Sequence, residues 1–253
     1  MINIVRTPEI PASLATKEIK DYLDYLVAWK NDQLLPENER TLAEPKPSAT
    51  YRNSDLIDAF DDCFFAKCYL TEKPFFSSYE MDVEHFLAKN FNAYPELRYE
   101  WTNLYPADHD ANMAKPRITP EGGYLDPCNP DDDVENDLFY WLDFGGKKCH
   151  FKPINNQNIK AVNTATLLDR IHNGHDRASK IKTGGLRQAL FDRRDAINKA
   201  VIAWLRAKAT GNLNEEMRQG LLIRRFLSRK SSFTMLMRST SVVIENVPKE
   251  FLD

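Results

Sequence analysis

The chain has 253 residues, 42% of them hydrophobic, enough to bury a sizeable core as one domain or two closely packed ones. Only nine glycines are present, and neither a G-x-G-x-x-G nor a P-loop pattern occurs, which argues against a Gly-rich β protein and against a nucleotide-cradling loop. A net charge of −3 hides an asymmetry: residues 145–240 carry 20 Lys+Arg against 6 Asp+Glu, or +14, leaving −17 for the remainder, so the basic half suits either a polyanion or a set of solvated helix faces.

The opening stretch, MINIVRTPEIPASL, holds no apolar run of signal-peptide length, and no segment approaches 18 apolar residues. A cytoplasmic protein without a membrane partner is expected. Cys63, Cys68, Cys128 and Cys149 are scattered in the manner of free thiols. Residues 16–32, TKEIKDYLDYLVAWKND, place Ile19, Leu23, Leu26 and Val27 at helical spacing. The polar, proline-rich residues 34–49 read as a linker or wrapping loop. A second helix is expected after Ser54 as N-cap. Residues 68–90 alternate like a hairpin, with Lys73-Pro74 at the turn.

A loop with Gly122-Gly123 and several Asx-Pro turns leads to DLFYWLDFGGKKCHF (137–151). This segment reads as a strand pair turning at Gly145-Gly146, with Tyr140 and Trp141 in the core. Beyond Asn163 the sequence is helical to about Arg238. The expected fold class is α+β, a small β-containing module between N-terminal and C-terminal α-helices. Its regions are 1–62, helical and wrapping; 63–150, the module; and 151–253, basic and helical.

Three pieces carry chemistry when taken together: Asp82-Val83-Glu84-His85 at a strand end, Asn103-Leu104 after a loop, and Asn112-Met113-Ala114-Lys115, expected to open a helix. These types suit metal-assisted phosphodiester hydrolysis. A histidine takes the proton of the attacking water, so it must sit beside the phosphate in its neutral form. A carboxylate and an amide oxygen make an open, oxygen-only site for a hard divalent ion, which stabilises the phosphorane charge.

At these residues the sequence resembles the HNH endonucleases, over roughly residues 63–130. The family pattern C-x-x-C-E, (D/E)-H-F-x-P-K, N-L, C-x-x-C-N-x-x-K, L-L-x-P-x-x-D-D-P is met here by CYLTE (68–72), EHFLAK (84–89), NL (103–104), DHDANMAK (108–115) and YLDPCNPDDD (124–133). With NTATLLDRI (163–171) and the arginine-rich tail, it is most similar to the HNH subunits of Septu-type antiphage systems, including those attached to retrons. The resemblance implies a ββα-metal module that cuts DNA with Mg²⁺ or Mn²⁺, in a hetero-oligomer with an ABC/OLD-like ATPase. It further implies Glu84 and Asn112 as metal ligands, His85 as general base, Asn103 as the residue orienting the histidine's loop, and Lys115 near the phosphate. Where the family has four knuckle thiolates, this chain has Cys68 with Thr71 and Asp108 with Ala111, so one ligand of four remains and no structural zinc is expected. Aromatic packing by Phe64, Phe65, Tyr69, Phe75 and Phe76, together with the flanking helices, is expected to hold the module instead. A module that has lost catalysis and serves the ATPase as a binding subunit is the alternative.

Blander readings stand beside these. Glu84 and His85 alone are an ordinary strand-end pair, and Asn103 and Asn112 alone are a loop residue and an N-cap. His109 is an alternative base or accessory phosphate ligand, or else a surface loop histidine. His172 and His175 look like a metal pair but read better as a helix end capped at Asn173-Gly174. Asp131, Asp132 and Asp133 read as a solvated acidic turn. The series Arg187, Arg193, Arg194, Arg206, Arg224, Arg225, Arg229 and Lys230 offers phosphate contacts, with Arg187 and Arg194 the chosen DNA-binding candidates.

Overall fold

Two antiparallel strand pairs, each followed by a helix, are wrapped by helices from both sides in a computed structural model that describes residues 1–47, 51–89, 94–143 and 145–253. The ends of the 34–49 loop and of the 68–90 stretch, and Phe144 beside the glycine turn, lie outside the described residues. The mixed α+β class expected from the sequence is the observed one. Among the described residues no helix is long and apolar enough to cross a membrane.

Helix α1 (Lys17–Asp32) starts at Thr16, whose hydroxyl accepts the Ile19 N–H at 3.3 Å, and it buries Ile19, Tyr22 and Leu26. Val27, on the same expected stripe, faces solvent instead. Helix α2 (Ser54–Phe64) has Asn53 rather than Ser54 at its N-cap and turns Leu56, Phe60 and Phe64 inward at four-residue spacing. It ends on Phe65, in the left-handed region at φ 58°.

The expected 68–90 hairpin does not form. Residues 67–74 instead close a tight turn, with a bridge between Lys67 and Pro74 and Glu72 at φ 57°. A left-handed residue two positions before a proline, which has no N–H to donate, breaks a ladder there. Strand β1 (Met81–His85) pairs with β2 (Leu104–Asp108) in the register Glu84 to Tyr105 and His85 to Leu104. Helix α3 (His109–Ala114) follows at once, capped by Asp108, so Asn112 lies within the helix rather than opening it.

The second pair, β3 (Leu138–Asp143) and β4 (Lys148–Pro153), turns at the expected glycines and packs on α4 (Ile159–Asn173). Helix α4 ends at Asn173, with Gly174 as its cap at φ 70°. The remaining helices are α5 (Arg177–Lys182), α6 (Gly184–Thr210), α7 (Leu213–Leu227), α8 (Thr234–Arg238) and α9 (Ser241–Asn246). A two-residue connection folds α7 back along α6, burying Leu190, Ile197, Val201, Ile223 and Leu227.

Four expectations are corrected by burial. Phe76 is 86% exposed and holds nothing together, whereas Phe64 and Tyr69 are buried and Phe65 and Phe75 pack on the core. Asp132 is buried, not solvated, because its carboxylate accepts from Lys160 Nζ and from the Asp126 N–H. Trp141 is half exposed while Tyr140 is buried, since neighbours on a strand point to opposite faces. Arg194 is buried on the inner side of α6, paired with Asp195 at 2.7 Å, so it cannot reach a phosphate.

The 67–74 turn is fastened to a distant part of the chain. The buried Lys67 ammonium donates to the carbonyls of Arg229 (2.5 Å) and Ser231 (2.7 Å). The backbone of Glu72 accepts the Phe233 N–H at 3.2 Å, and its carboxylate accepts that of Met235 at 3.3 Å.

Candidate active site

Strand alternation sends Asp82 and Glu84 to one face of β1, the face met by α3. Asn112 and Lys115, three residues apart at the end of α3, meet them: Asn112 Nδ2 donates to Asp82 Oδ2 at 3.0 Å, and Lys115 Nζ to Glu84 Oε1 at 2.6 Å. Val83, Glu84, His85, Lys89, Asn112 and Lys115 line an open cleft of about 330 Å³, with Arg117 at its exposed side.

Glu84 is buried and both its oxygens have donors. Tyr69 gives its hydroxyl proton to Oε2 at 2.8 Å, and burial together with the adjacent Glu84 charge pushes the Tyr69 phenol well above its usual range. The Lys115 ammonium, its side chain 7% exposed, also donates to the carbonyls of Phe86 (2.9 Å) and His85 (3.2 Å). Three oxygens thus surround one buried cation. They are hard donors of the kind Mg²⁺ and Mn²⁺ take, and with the Asn112 amide the donor set fits such an ion in chemistry. The ion would have to displace the Lys115 ammonium from Glu84.

His85 ends β1 and is held by backbone. Its Nε2 lies 2.9 Å from the carbonyl oxygen of Arg98, which only accepts, so Nε2 carries the proton. The Tyr51 hydroxyl donates to the same carbonyl at 3.0 Å and sits 3.1 Å from Nε2. That tautomer leaves a lone pair on Nδ1, which has no hydrogen-bond partner among the described residues. Burial, reinforced by the charges of Lys89, Arg98 and Lys115, lowers the imidazole to about 3 and keeps it neutral.

Asn103 shapes the loop after β1. Its Oδ1 accepts the Leu87 N–H at 2.7 Å, while Nδ2 donates to the carbonyls of Leu87 and Leu97, both at 3.1 Å. All three bonds go to backbone on either side of the histidine's surroundings, which is how one buried amide fixes a loop.

The four knuckle positions come together without a ligand set. Cys68 is fully buried and its sulfur takes the backbone N–H groups of Thr71, at 3.5 Å, and of Asp108. Burial pushes this thiol up, so a thiolate is disfavoured. The Asp108 carboxylate pairs with Lys73 at 2.5 Å. Among the described residues no cluster of three or more His, Cys, Asp or Glu side chains could hold a metal.

Other expected residues lie outside the cleft. His109 opens α3, faces solvent and pairs with Asp82 at 2.9 Å. Arg187 spends its guanidinium on the carbonyls of His172 and Lys180 and on the Thr183 hydroxyl, tying α4, α5 and α6 together. His172 is buried with Nδ1 on the Leu168 carbonyl, and His175 is exposed beside Asp176. Sequence reasoning missed Tyr51, Tyr69, Lys89 and Arg117. Lys89 was visible in EHFLAK, and burial lowers its ammonium to about 8; Tyr51 reaches the site from a distant segment and left no local signal, while Tyr69, inside CYLTE, was read as packing and not as the donor to Glu84.

Compared with protein-family models, with curated proteins and with solved structures, the chain matches none.

Proposed function

We propose that the chain is a metal-dependent endonuclease of the HNH type that hydrolyses DNA phosphodiester bonds, as the effector of an antiphage complex with an ABC/OLD-like ATPase. The observation that supports this most is the strand–strand–helix order that brings Glu84, His85, Asn112 and Lys115 to one cleft, with the His85 Nδ1 lone pair unpaired among the described residues. The convergence of Cys68, Thr71 and Asp108, the positions of the family's knuckle, supports it further. DNA as substrate and the ATPase as partner rest on the sequence resemblance alone.

In this reading His85 takes a proton from water at Nδ1, while the Arg98 carbonyl and Tyr51 hold the ring at Nε2. Asn103 keeps the loop that follows His85 in place. Lys89 and Arg117 supply positive charge for the phosphate, and Lys115 would join them where a divalent ion displaced it from Glu84. An arriving phosphate opposes the cationic charges that help depress His85, which strengthens it as a base. Glu84 and Asn112 would hold a divalent ion, whose chemistry is to stabilise charge on the phosphoryl group and the leaving oxygen.

One observation favours a second reading, a binding subunit that has lost catalysis: both oxygens of Glu84 already have donors. A plasmid cleavage assay with Mg²⁺ or Mn²⁺, with the proposed ABC/OLD-like ATPase partner added, separates the two. The nuclease reading expects nicking that falls by about 10²–10⁴-fold in His85→Ala. Absence of nicking by wild type, or nicking indifferent to His85, sinks it.

A further inference from the structure

The outer face of the β3–β4 hairpin carries what a solvated sheet face ordinarily lacks. Leu138, Tyr140, Leu142, Cys149 and Phe151 point inward and are buried. A polar set should alternate with them on the water side. Instead Phe139 and Trp141 stand there, 45% and 47% exposed. The register places Lys152 opposite Phe139, His150 opposite Trp141 and Lys148 opposite Asp143. Trp141 and His150 stack with ring centroids 4.9 Å apart and planes 24° from parallel.

The surroundings of these rings are cationic. Lys148 and His150 also line a cleft of about 490 Å³ with Lys147, Lys180 and Arg187. Among the described residues, Asp169 is the one carboxylate lining that cleft. Asp143, the acidic member of the hairpin face, accepts the N–H groups of Gly145 (3.0 Å) and Gly146 (3.1 Å) in closing its own turn, and its carboxylate also lies 3.9 Å from His150 Nε2. Two rings at alternate strand positions stand about 7 Å apart along the strand, a spacing that serves successive unstacked bases.

The geometry points to a single-stranded nucleic acid as the occupant of this face, with bases stacked on Phe139 and Trp141 and phosphates beside Lys148 and Lys152. An acidic peptide would use the cations and leave the two rings without a role; a single strand uses both. The site is separate from the His85 cleft and needs neither a metal nor a cleavage step, so it stands or falls apart from the hydrolase reading.

The test is fluorescence anisotropy of labelled dT15 and U15 oligonucleotides, without divalent ions, across a salt series. Wild type is expected to bind the single strands, and the difference between the two arms assigns DNA or RNA. Phe139→Ser with Trp141→Ser should weaken binding by about tenfold or more, whereas Phe139→Tyr with Trp141→Phe should keep it. Lys148→Ala with Lys152→Ala should lower the log–log salt slope by about 1.4. All these positions are surface ones, and a circular dichroism melt verifies that each variant is folded. No binding by wild type, unchanged binding by the serine variant, or polyglutamate competing as well as unlabelled dT15 would overturn the proposal; the last outcome would assign the face to an acidic protein.

Discussion

Both strand pairs are antiparallel and both run into a helix, yet they use the helix differently. In the first, α3 meets β1 with polar groups: Glu84 with Lys115 and Asp82 with Asn112, above a cleft. In the second, α4 meets β4 on an apolar face built from Leu138, Tyr140, Leu142 and Phe151, and the unusual chemistry is pushed outward as Phe139 and Trp141. One unit conceals charge and the other displays aromatic rings. A strand–strand–helix order therefore says little about chemistry until the face carrying each side chain is known.

The sharpest way to break this contrast is at the concealed pair. Glu84→Gln leaves the Lys115 ammonium, 7% exposed, without its counter-charge, which should cost about 3–5 kcal/mol. Adding Lys115→Met to that variant should recover most of the loss. Urea midpoints measure both, and a Glu84→Gln variant within about 1 kcal/mol of wild type would mean that the charge is not concealed.

Next in size is a pH effect carried by buried neutral histidines, His85 lowered to about 3 and His172 to about 4, each mainly by burial. Below pH 6.5 the unfolded chain binds protons at both positions and the folded chain does not. Stability then falls as pH drops from about 6.5 toward 4, by up to about 1.4 kcal/mol per pH unit for each histidine. His85→Gln should remove one share of that slope between pH 7 and pH 5; a slope equal to wild type's would show His85 to be accessible. The smallest effect belongs to the displayed face. Trp141→Ala should cost about 1 kcal/mol or less, because a half-exposed ring loses little beyond its stack on His150. A loss of several kcal/mol would make Trp141 a core residue after all.

What was legible in the sequence was local. The helical stripe in residues 16–32, the glycine turn at 145–146 and the Asn173-Gly174 cap depend on near neighbours in the chain. The proximity of Asn112 and Lys115 to Asp82 and Glu84 was expected from a familiar order of short motifs rather than from any physical pattern. The inward face of β3 was not legible, because LFYWLD is apolar at both alternations and a one-residue shift exchanges Tyr140 for Trp141. Nor was the fate of Lys115 and Arg194, since a cation's partner is fixed by packing and not by spacing. Asn112 within α3 and the failed 68–90 hairpin show how one capping residue, Asp108, and one left-handed residue, Glu72, move element boundaries.

The fastening of Lys67 to Arg229 and Ser231 has a kinetic side. It closes a loop of more than 160 residues, and holding such a loop shut costs on the order of 4–5 kcal/mol of chain entropy before the contact returns anything. The turn that carries Cys68 and Tyr69, and through Tyr69 the second oxygen of Glu84, is thus completed by residues translated long after it. During synthesis the cleft should be among the last parts of the molecule to set, and a ribosome-bound chain halted before Arg229 should carry His85 in an unfinished pocket.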